Sequence, residues 1–278
     1  MRVDVLLVDR GFADSRSQAQ RLLMAGQVRV NGQVVLKPAQ AVAADADLSV
    51  DQGPPFVSRG GEKLQSALDR FNLVVKGCIC ADVGASTGGF TDCLLQHEAT
   101  RVYAIDVGQG ILHWKLRQDA RVVVMEKTNA RFLDKLPEAV QIVTIDASFI
   151  SLKLLLPVIH NWFTGSGLES DSISVSRAPG NVIALIKPQF EVGRVVASRG
   201  GGVVRNPAIH REVLLDVLSS AQNLGYGVQG VTRSPLIGPK GNTEFLAYLT
   251  YPGAPVENLE ALVDKVLGAG QPDSPTLV

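Results

Sequence analysis

The chain has 278 residues, 46% of them hydrophobic, and its 27 Lys plus Arg are balanced by 27 Asp plus Glu. That length accommodates one large domain and a small one, and that apolar content supports a substantial core, which excludes wholesale disorder. A net charge of zero carries no global basic signature, so any nucleic-acid surface must be local. No apolar run approaches the ~18 residues of a membrane span, and Asp4, Asp9 and Arg10 interrupt what would be the apolar core of a signal peptide. Cys78, Cys80 and Cys93 are sparse and odd in number, and four scattered histidines form no zinc-type constellation. A cytoplasmic, metal-independent protein is expected.

The first fifty residues read as a separate unit. Val3, Leu6, Leu7 and Val8 have helical spacing, with Gly11 as a stop. Ser15-Arg-Ser-Gln18 fits a capping box before a second helix carrying Ala19, Leu22 and Leu23, which ends at Gly26. Val28-Arg-Val30, Asn31-Gly32 and Gln33-Val-Val35 then predict a hairpin, because Asn-Gly supplies the positive φ angles of a type I′ turn. From Met1 to Lys37 six Arg or Lys face three Asp, a modest excess that is by itself usually a solvated face. After an acidic stretch, Gly53-Pro54-Pro55 breaks regular structure, and residues 54–61 are read as a linker leading into a helix at Glu62-Lys63-Leu64.

Beyond it, strand and helix patterns alternate as expected for a parallel α/β sheet. An apolar run around Cys78–Cys80 leads into Asp82-Val-Gly-Ala-Ser-Thr-Gly-Gly-Phe-Thr91, a glycine-rich bend before a helix-compatible stretch. Such a bend lets the backbone approach a nucleotide-type ligand closely. Asp106 ends the next strand, Arg101–Ile105, 22 positions after Gly84, near the offset at which a carboxylate grips a ribose. The spacing Gly84-x-x-x-Gly88-Gly89 does not fit G-x-G-x-x-G, so a pyrophosphate is disfavoured; S-adenosylmethionine, with a ribose and no phosphate, suits the loop better. Further strands are expected at 121–125, 140–146, 181–187, 226–229 and 244–249. Ligands in open α/β sheets bind at the carboxyl ends of strands, where Asp82, Asp106, Asp146 and Lys187 all fall. The Ser- and Gly-rich segment 164–180 reads as an exposed insertion and 272–278 as a loose tail.

A lysine closing an apolar strand commonly snorkels to solvent. Near a methyl donor, Lys187 would instead take the proton of an attacking hydroxyl if neutral, or stabilise developing alkoxide charge if protonated. Lys63 pushes its pKa one way and Asp146 and Glu244 the other, so the sequence leaves both roles open. Asp146-Ala-Ser-Phe149 lacks the Asp/Asn-Pro-Pro-aromatic pattern common in enzymes that methylate exocyclic amines, which favours hydroxyl chemistry over a flipped-base mechanism.

Two resemblances emerge. The two-helix unit followed by Val28-Arg-Val-Asn-Gly32 resembles the S-four-type RNA-binding domain. That likeness implies phosphate contacts from Arg16, Arg21 and Arg29. Lys63, Asp146, Lys187 and Glu244 stand in the order of the catalytic tetrad of FtsJ-type ribose 2′-O-methyltransferases. With the N-terminal unit, the chain is similar over nearly its whole length to the TlyA family of ribosomal RNA methyltransferases, also known as haemolysins. The supporting motifs include Ser58-Arg-Gly-Gly-Glu-Lys63, the 82–91 loop, Lys187-Pro-Gln-Phe-Glu191 and Gly238-Pro-Lys-Gly-Asn-Thr-Glu244. The resemblance implies a Rossmann-like methyltransferase sheet (62–252) behind a small α+β RNA-binding domain (1–53), with a C-terminal helix and tail at 253–278. It further implies S-adenosylmethionine as donor and ribosomal RNA or ribosomal subunits as partner. Cofactor contacts would come from Asp82, Gly84, Ala85, Ser86, Thr87, Gly88, Asp106 and Asn129. Arg59 and the basic loop after Lys187, with Arg194, Arg199 and Arg205, would contact RNA. Competing readings are a non-catalytic assembly factor, a membrane-lytic haemolysin and, weakest, a nicotinamide dehydrogenase.

Overall fold

A computed structural model describes residues 1–51, 53–163, 179–192, 202–238 and 240–268. Arg194, Arg199, the tail at 272–278 and all but the last two residues of the expected 164–180 insertion lie outside the described residues. The chain divides into two compact units, Met1–Pro55 and Phe56–Val278.

In the first unit, helices α1 (Val3–Asp9) and α2 (Arg16–Met24) precede strands β1 (Val28–Val30), β2 (Gln33–Val34) and β3 (Leu48–Val50). The strands form an antiparallel sheet in the order β2-β1-β3. Asn31 and Gly32, at φ 51° and 79°, make the primed turn that matches the twist of the hairpin. Ser15 caps α2 by accepting from the Gln18 N–H at 3.3 Å, while Gln18 Oε1 reaches back to the Asp14 N–H at 2.8 Å. The capping box thus closes one residue upstream of its usual partner. Val3, Leu7, Ala19, Leu23 and Val28 are fully buried between the helices and the sheet. β3 escaped the sequence reading because it is three residues long and defined by its pairing with β1, not by its own pattern.

In the second unit, α3 (Gly60–Phe71) leads to β4 (Ile79–Val83), α4 (Gly89–Gln96), β5 (Arg101–Ile105), α5 (Trp114–Arg117), β6 (Val122–Met125) and β7 (Ile142–Ile145). There follow α6 (Leu152–Ile159), β8 (Gly180–Ile186), α7 (Pro188–Glu191), α8 (Pro207–Asn223), β9 (Gly227–Arg233), β10 (Phe245–Tyr251) and α9 (Leu259–Gly268). Among the described residues the sheet has seven strands in the order β6-β5-β4-β7-β8-β10-β9. Alternate residues feed two cores: Val143, Ile145, Val182 and Ala184 join the α6 and α8 side, and Ile142, Ile183 and Leu185 the α3 and α4 side. A fully buried aliphatic such as Leu94 or Leu156 contributes about 2 kcal/mol.

Two expectations are corrected. The sheet is mixed: β4 to β8 run parallel, but β10 is antiparallel to both β8 and β9. Apolar runs carry no direction, so the reversal was not legible in them. The segment read as a linker to residue 61 joins the second unit from Phe56 onward. Phe56 is buried, and a Cβ on Gly61 would stand 2.2 Å from its ring. Two glycines there let α3 begin at Gly60, ahead of the expected Glu62.

Candidate active site

The reversed strand explains how residues far apart in sequence meet. β8 ends at Ile186 and β10 starts at Phe245, and these two residues are paired in the sheet. Lys187, just past one strand, and Glu244, just before the other, therefore arrive at the same end of the sheet. β7 ends one residue before Asp146 and neighbours β8. α3 supplies Lys63 from the side. The four expected residues form two ion pairs: Lys63 Nζ lies 2.6 Å from Glu244 Oε2, and Lys187 Nζ 2.6 Å from Asp146 Oδ1. The first is a buried hydrogen bond as well. The second is a charge contact off the hydrogen-bonding direction, and Lys187 directs its hydrogen bonds to Ser148 Oγ at 3.0 Å and the Asp146 carbonyl at 3.5 Å. Lys63, Lys187 and Glu244 are each less than a tenth exposed, so neither pair is a surface salt bridge of negligible worth. Asp146 is partly open. Together with Lys63, Ser58, Arg59, Ser86 and Phe90 it lines a cavity of about 230 Å³.

A second cleft of about 600 Å³ shares Gly84 and Ser86 with that cavity. Asp106, Thr128, Asn129, Ala147, Ser148 and Phe149 line it, with an aliphatic wall from Ile150, Leu154 and Leu155. Its volume fits a nucleoside-sized ligand. Gly84, at φ 81°, lets the loop after β4 cross the chain after β7: a Cβ there would come within 2.7 Å of the Asp146 carbonyl. Asp106 stands where the ribose carboxylate is expected. Its Oδ2 accepts from the Ser86 N–H at 2.8 Å and its Oδ1 from the Gly108 N–H at 2.7 Å, so the acid also fixes the glycine loop. Ser86 adopts φ 50° to make that contact. Ala85 and Thr87 line the smaller cavity, and Asn129 spends its side-chain oxygen capping the turn at Ala130–Phe132.

Other expected residues sit elsewhere. Asp82 faces neither cavity: it is fully buried in β4, accepting from Thr91 Oγ1 at 2.7 Å and Thr144 Oγ1 at 3.0 Å. Burial pushes its carboxyl up to about 7, opposed by the two hydroxyls and reinforced by the charge of Asp146. Gly88 lines neither cavity; it starts α4 at φ 98° against Leu116. Arg16 is exposed but pairs with Asp4, a fully buried carboxylate that also binds Arg2 and Gln20. The Arg2 hydrogen bond, with Arg16 and Gln20 behind it, holds the Asp4 carboxyl far below its usual range against the cost of burial. Arg21, Arg29, Arg59 and Arg205 are exposed. Arg2, Ser148 and Asn242 were missed by the sequence reading. Asn242 anchors the segment before Arg205, donating to the Gly202 carbonyl and accepting from the Val204 N–H, both at 2.9 Å. Only its place in the Gly238–Glu244 motif signalled it. Among the described residues, no cluster of His, Cys, Asp and Glu could hold a metal ion, and no helix is long and apolar enough to cross a membrane.

Comparison with known proteins shows the family. The FtsJ-like methyltransferase family matches residues 56–251, more than half of the chain, and the S4 domain family matches residues 1–48. The 16S/23S rRNA (cytidine-2′-O)-methyltransferase TlyA of Mycobacterium tuberculosis is 43% identical over 278 residues, covering 97% of this chain and 98% of the relative. Hemolysin A of Brachyspira hyodysenteriae is 39% identical over 254 residues, covering 89% and 99%. A solved structure from Streptococcus thermophilus, named as a hemolysin, superposes with a TM-score of 0.66 at 40% identity and covers 96% of this chain and 95% of its own. The chain therefore belongs to the FtsJ-like methyltransferase family, within the TlyA group that carries an N-terminal S4 domain.

Proposed function

We propose that this protein transfers the methyl group of S-adenosylmethionine to a ribose 2′-hydroxyl of ribosomal RNA, with the first unit docking the RNA and the second performing the transfer. The observation that carries the reading is the pairing of Lys63 with Glu244 and of Lys187 with Asp146 beside a nucleoside-sized cleft. A non-catalytic assembly factor would gain nothing from placing Lys63 and Asp146, each paired with a further charged residue, on the lining of a cavity. The name of the mycobacterial relative, a cytidine-2′-O-methyltransferase, supports ribose over base chemistry, as does the absence of prolines after Asp146. A ribosomal substrate places the reaction in the cytoplasm.

The cleft suits a cationic nucleoside. It offers one carboxylate at Asp106, hydroxyls at Ser86, Thr128, Ser148 and Ser151, the Asn129 amide and an aliphatic wall. When bound, S-adenosylmethionine supplies a methyl group activated on a sulfonium. Asp106 would hold its ribose hydroxyls, since each Asp106 oxygen spends one lone pair on the Ser86 or Gly108 N–H and keeps others free. The acceptor ribose enters the smaller cavity beside Lys63 and Asp146. Next to that cavity Lys187, held by Asp146 and Ser148, would take the proton of the attacking hydroxyl if neutral, or stabilise the negative charge growing on its oxygen if protonated. Lys63 holds the acceptor side, with Glu244 balancing its charge.

Lys187→Ala tests this assignment. Methyl transfer should fall by about 10²-fold or more, while the affinity for S-adenosylmethionine, read by calorimetry, stays unchanged. Equal loss of both would refute the role given to Lys187.

A further inference from the structure

The motif Lys187-Pro-Gln-Phe-Glu191 has a second charged end that the reaction above leaves unused. α7 is a single turn with Lys187 as its N-cap and Glu191 as its last residue. It is fastened to the segment 146–152 at three places. At its start Lys187 binds Asp146 and Ser148. In its middle the Phe190 ring lies 4.9 Å from that of Phe149, which sits at φ 64°. At its end Glu191 Oε1 accepts from the Leu152 N–H at 2.9 Å and Oε2 accepts from Ser151 Oγ. The last two donors belong to the N-terminus of α6, where unpaired N–H groups and the helix dipole favour a carboxylate. Glu191 is thus a carboxylate from one helix capping another, and burial pushes its carboxyl up despite those two hydrogen bonds.

What is fastened matters for function. The segment bears Asp146 at one end, and its residues 147–151 form one wall of the cofactor cleft. The wall and the turn that carries Lys187 are thus joined at both ends. We propose that Glu191 is a positioning residue: by pinning Ser151 and Leu152 it fixes the cleft wall and the Asp146–Lys187 pair as one body, so that cofactor seating and acceptor chemistry are set together. This rests on the methyltransferase reading given above. The bland alternative, a helix cap that only adds stability, predicts a lower melting temperature with unchanged affinity and rate in the protein that remains folded.

The experiment compares full-length wild type, Glu191→Ala, Glu191→Gln and Ser151→Ala. S-adenosylmethionine affinity is read by calorimetry, RNA affinity by filter binding, and single-turnover methyl transfer to ribosomal subunits at saturating cofactor and RNA. Glu191→Ala should slow transfer by about tenfold or more, since small misplacements of reacting groups are costly. It should also weaken cofactor binding by about fivefold, with RNA affinity unchanged. Glu191→Gln keeps an acceptor for the Leu152 N–H and should recover most of the cofactor affinity. Ser151→Ala should reproduce the pattern at smaller size, and it carries the test if Glu191→Ala fails to fold. Wild-type rate and cofactor affinity in folded Glu191→Ala, or in Ser151→Ala if that variant carries the test, would overturn the proposal, as would a loss confined to RNA affinity. If wild type itself transfers no methyl group, the methyltransferase reading fails, and the cofactor affinities still decide the role of Glu191.

Discussion

Two buried carboxylates show how position sets opposite behaviour in one residue type. Asp4 has three donors and a depressed pKa; Asp82 has two hydroxyls, no cation and a raised one. For Asp4 the paired charge stabilises the first unit above the unfolded value near 3.8, and that stability is lost as the pH falls below it. Asp4→Asn should therefore lower the stability of the first unit at neutral pH by about 2 kcal/mol and weaken RNA binding by loosening Arg2 and Arg16. Denaturant melts and filter binding check both effects. For Asp82 the sign is reversed. Its folded state holds the proton more tightly than the unfolded chain, so stability falls as pH rises from about 4 to about 7. Asp82→Asn should flatten stability against pH across that window, by at most about 4 kcal/mol. A wild-type slope retained in the variant would show that another group titrates there. That Asp82 serves the interior was not legible in the sequence, because a strand residue near a glycine loop looks the same whether its carboxylate faces a ligand or two threonines.

At the scale of elements, the site depends on close backbone crossings. The loop after β4 passes over the chain after β7 at Gly84, and the start of α4 touches the start of α3 at Gly89, where a Cβ would stand 2.4 Å from Ser58 Oγ and 2.8 Å from the Gly61 nitrogen. Gly84→Ala combines a positive φ with a backbone clash. It should cost about 1–3 kcal/mol and abolish the thermal shift produced by S-adenosylmethionine; a wild-type shift would show that the loop tolerates displacement. The glycine loop, Asp106 and the strands before them were readable because each has a local signature: spacing, strand end, apolar run. The meeting of Glu244 with Lys187 was not, since it depends on the reversed direction of β10 and its register with β8. The tetrad order named four residues, and the sheet gives their pairing: Lys63 with Glu244 and Lys187 with Asp146.

For the whole molecule, two compact units matched by two different families imply separable tasks. Residues 56–278 alone should keep a thermal shift with S-adenosylmethionine and show none with NAD, while RNA affinity falls by about tenfold or more. Unchanged RNA affinity would refute docking by the first unit. The unit boundary was legible in Gly53-Pro54-Pro55, but its far edge was not, because the two glycines that resemble a flexible linker in fact admit the tight packing of α3 on Phe56 and α4. Ribose methylation is tested by transfer of labelled methyl from S-adenosylmethionine to isolated ribosomal subunits that lack the modification, with Lys187→Ala as control. Wild type should leave label in ribosomal RNA that survives alkali as a resistant dinucleotide, and the variant should leave none. Label recovered on a base, or none in either subunit, would contradict ribose methylation.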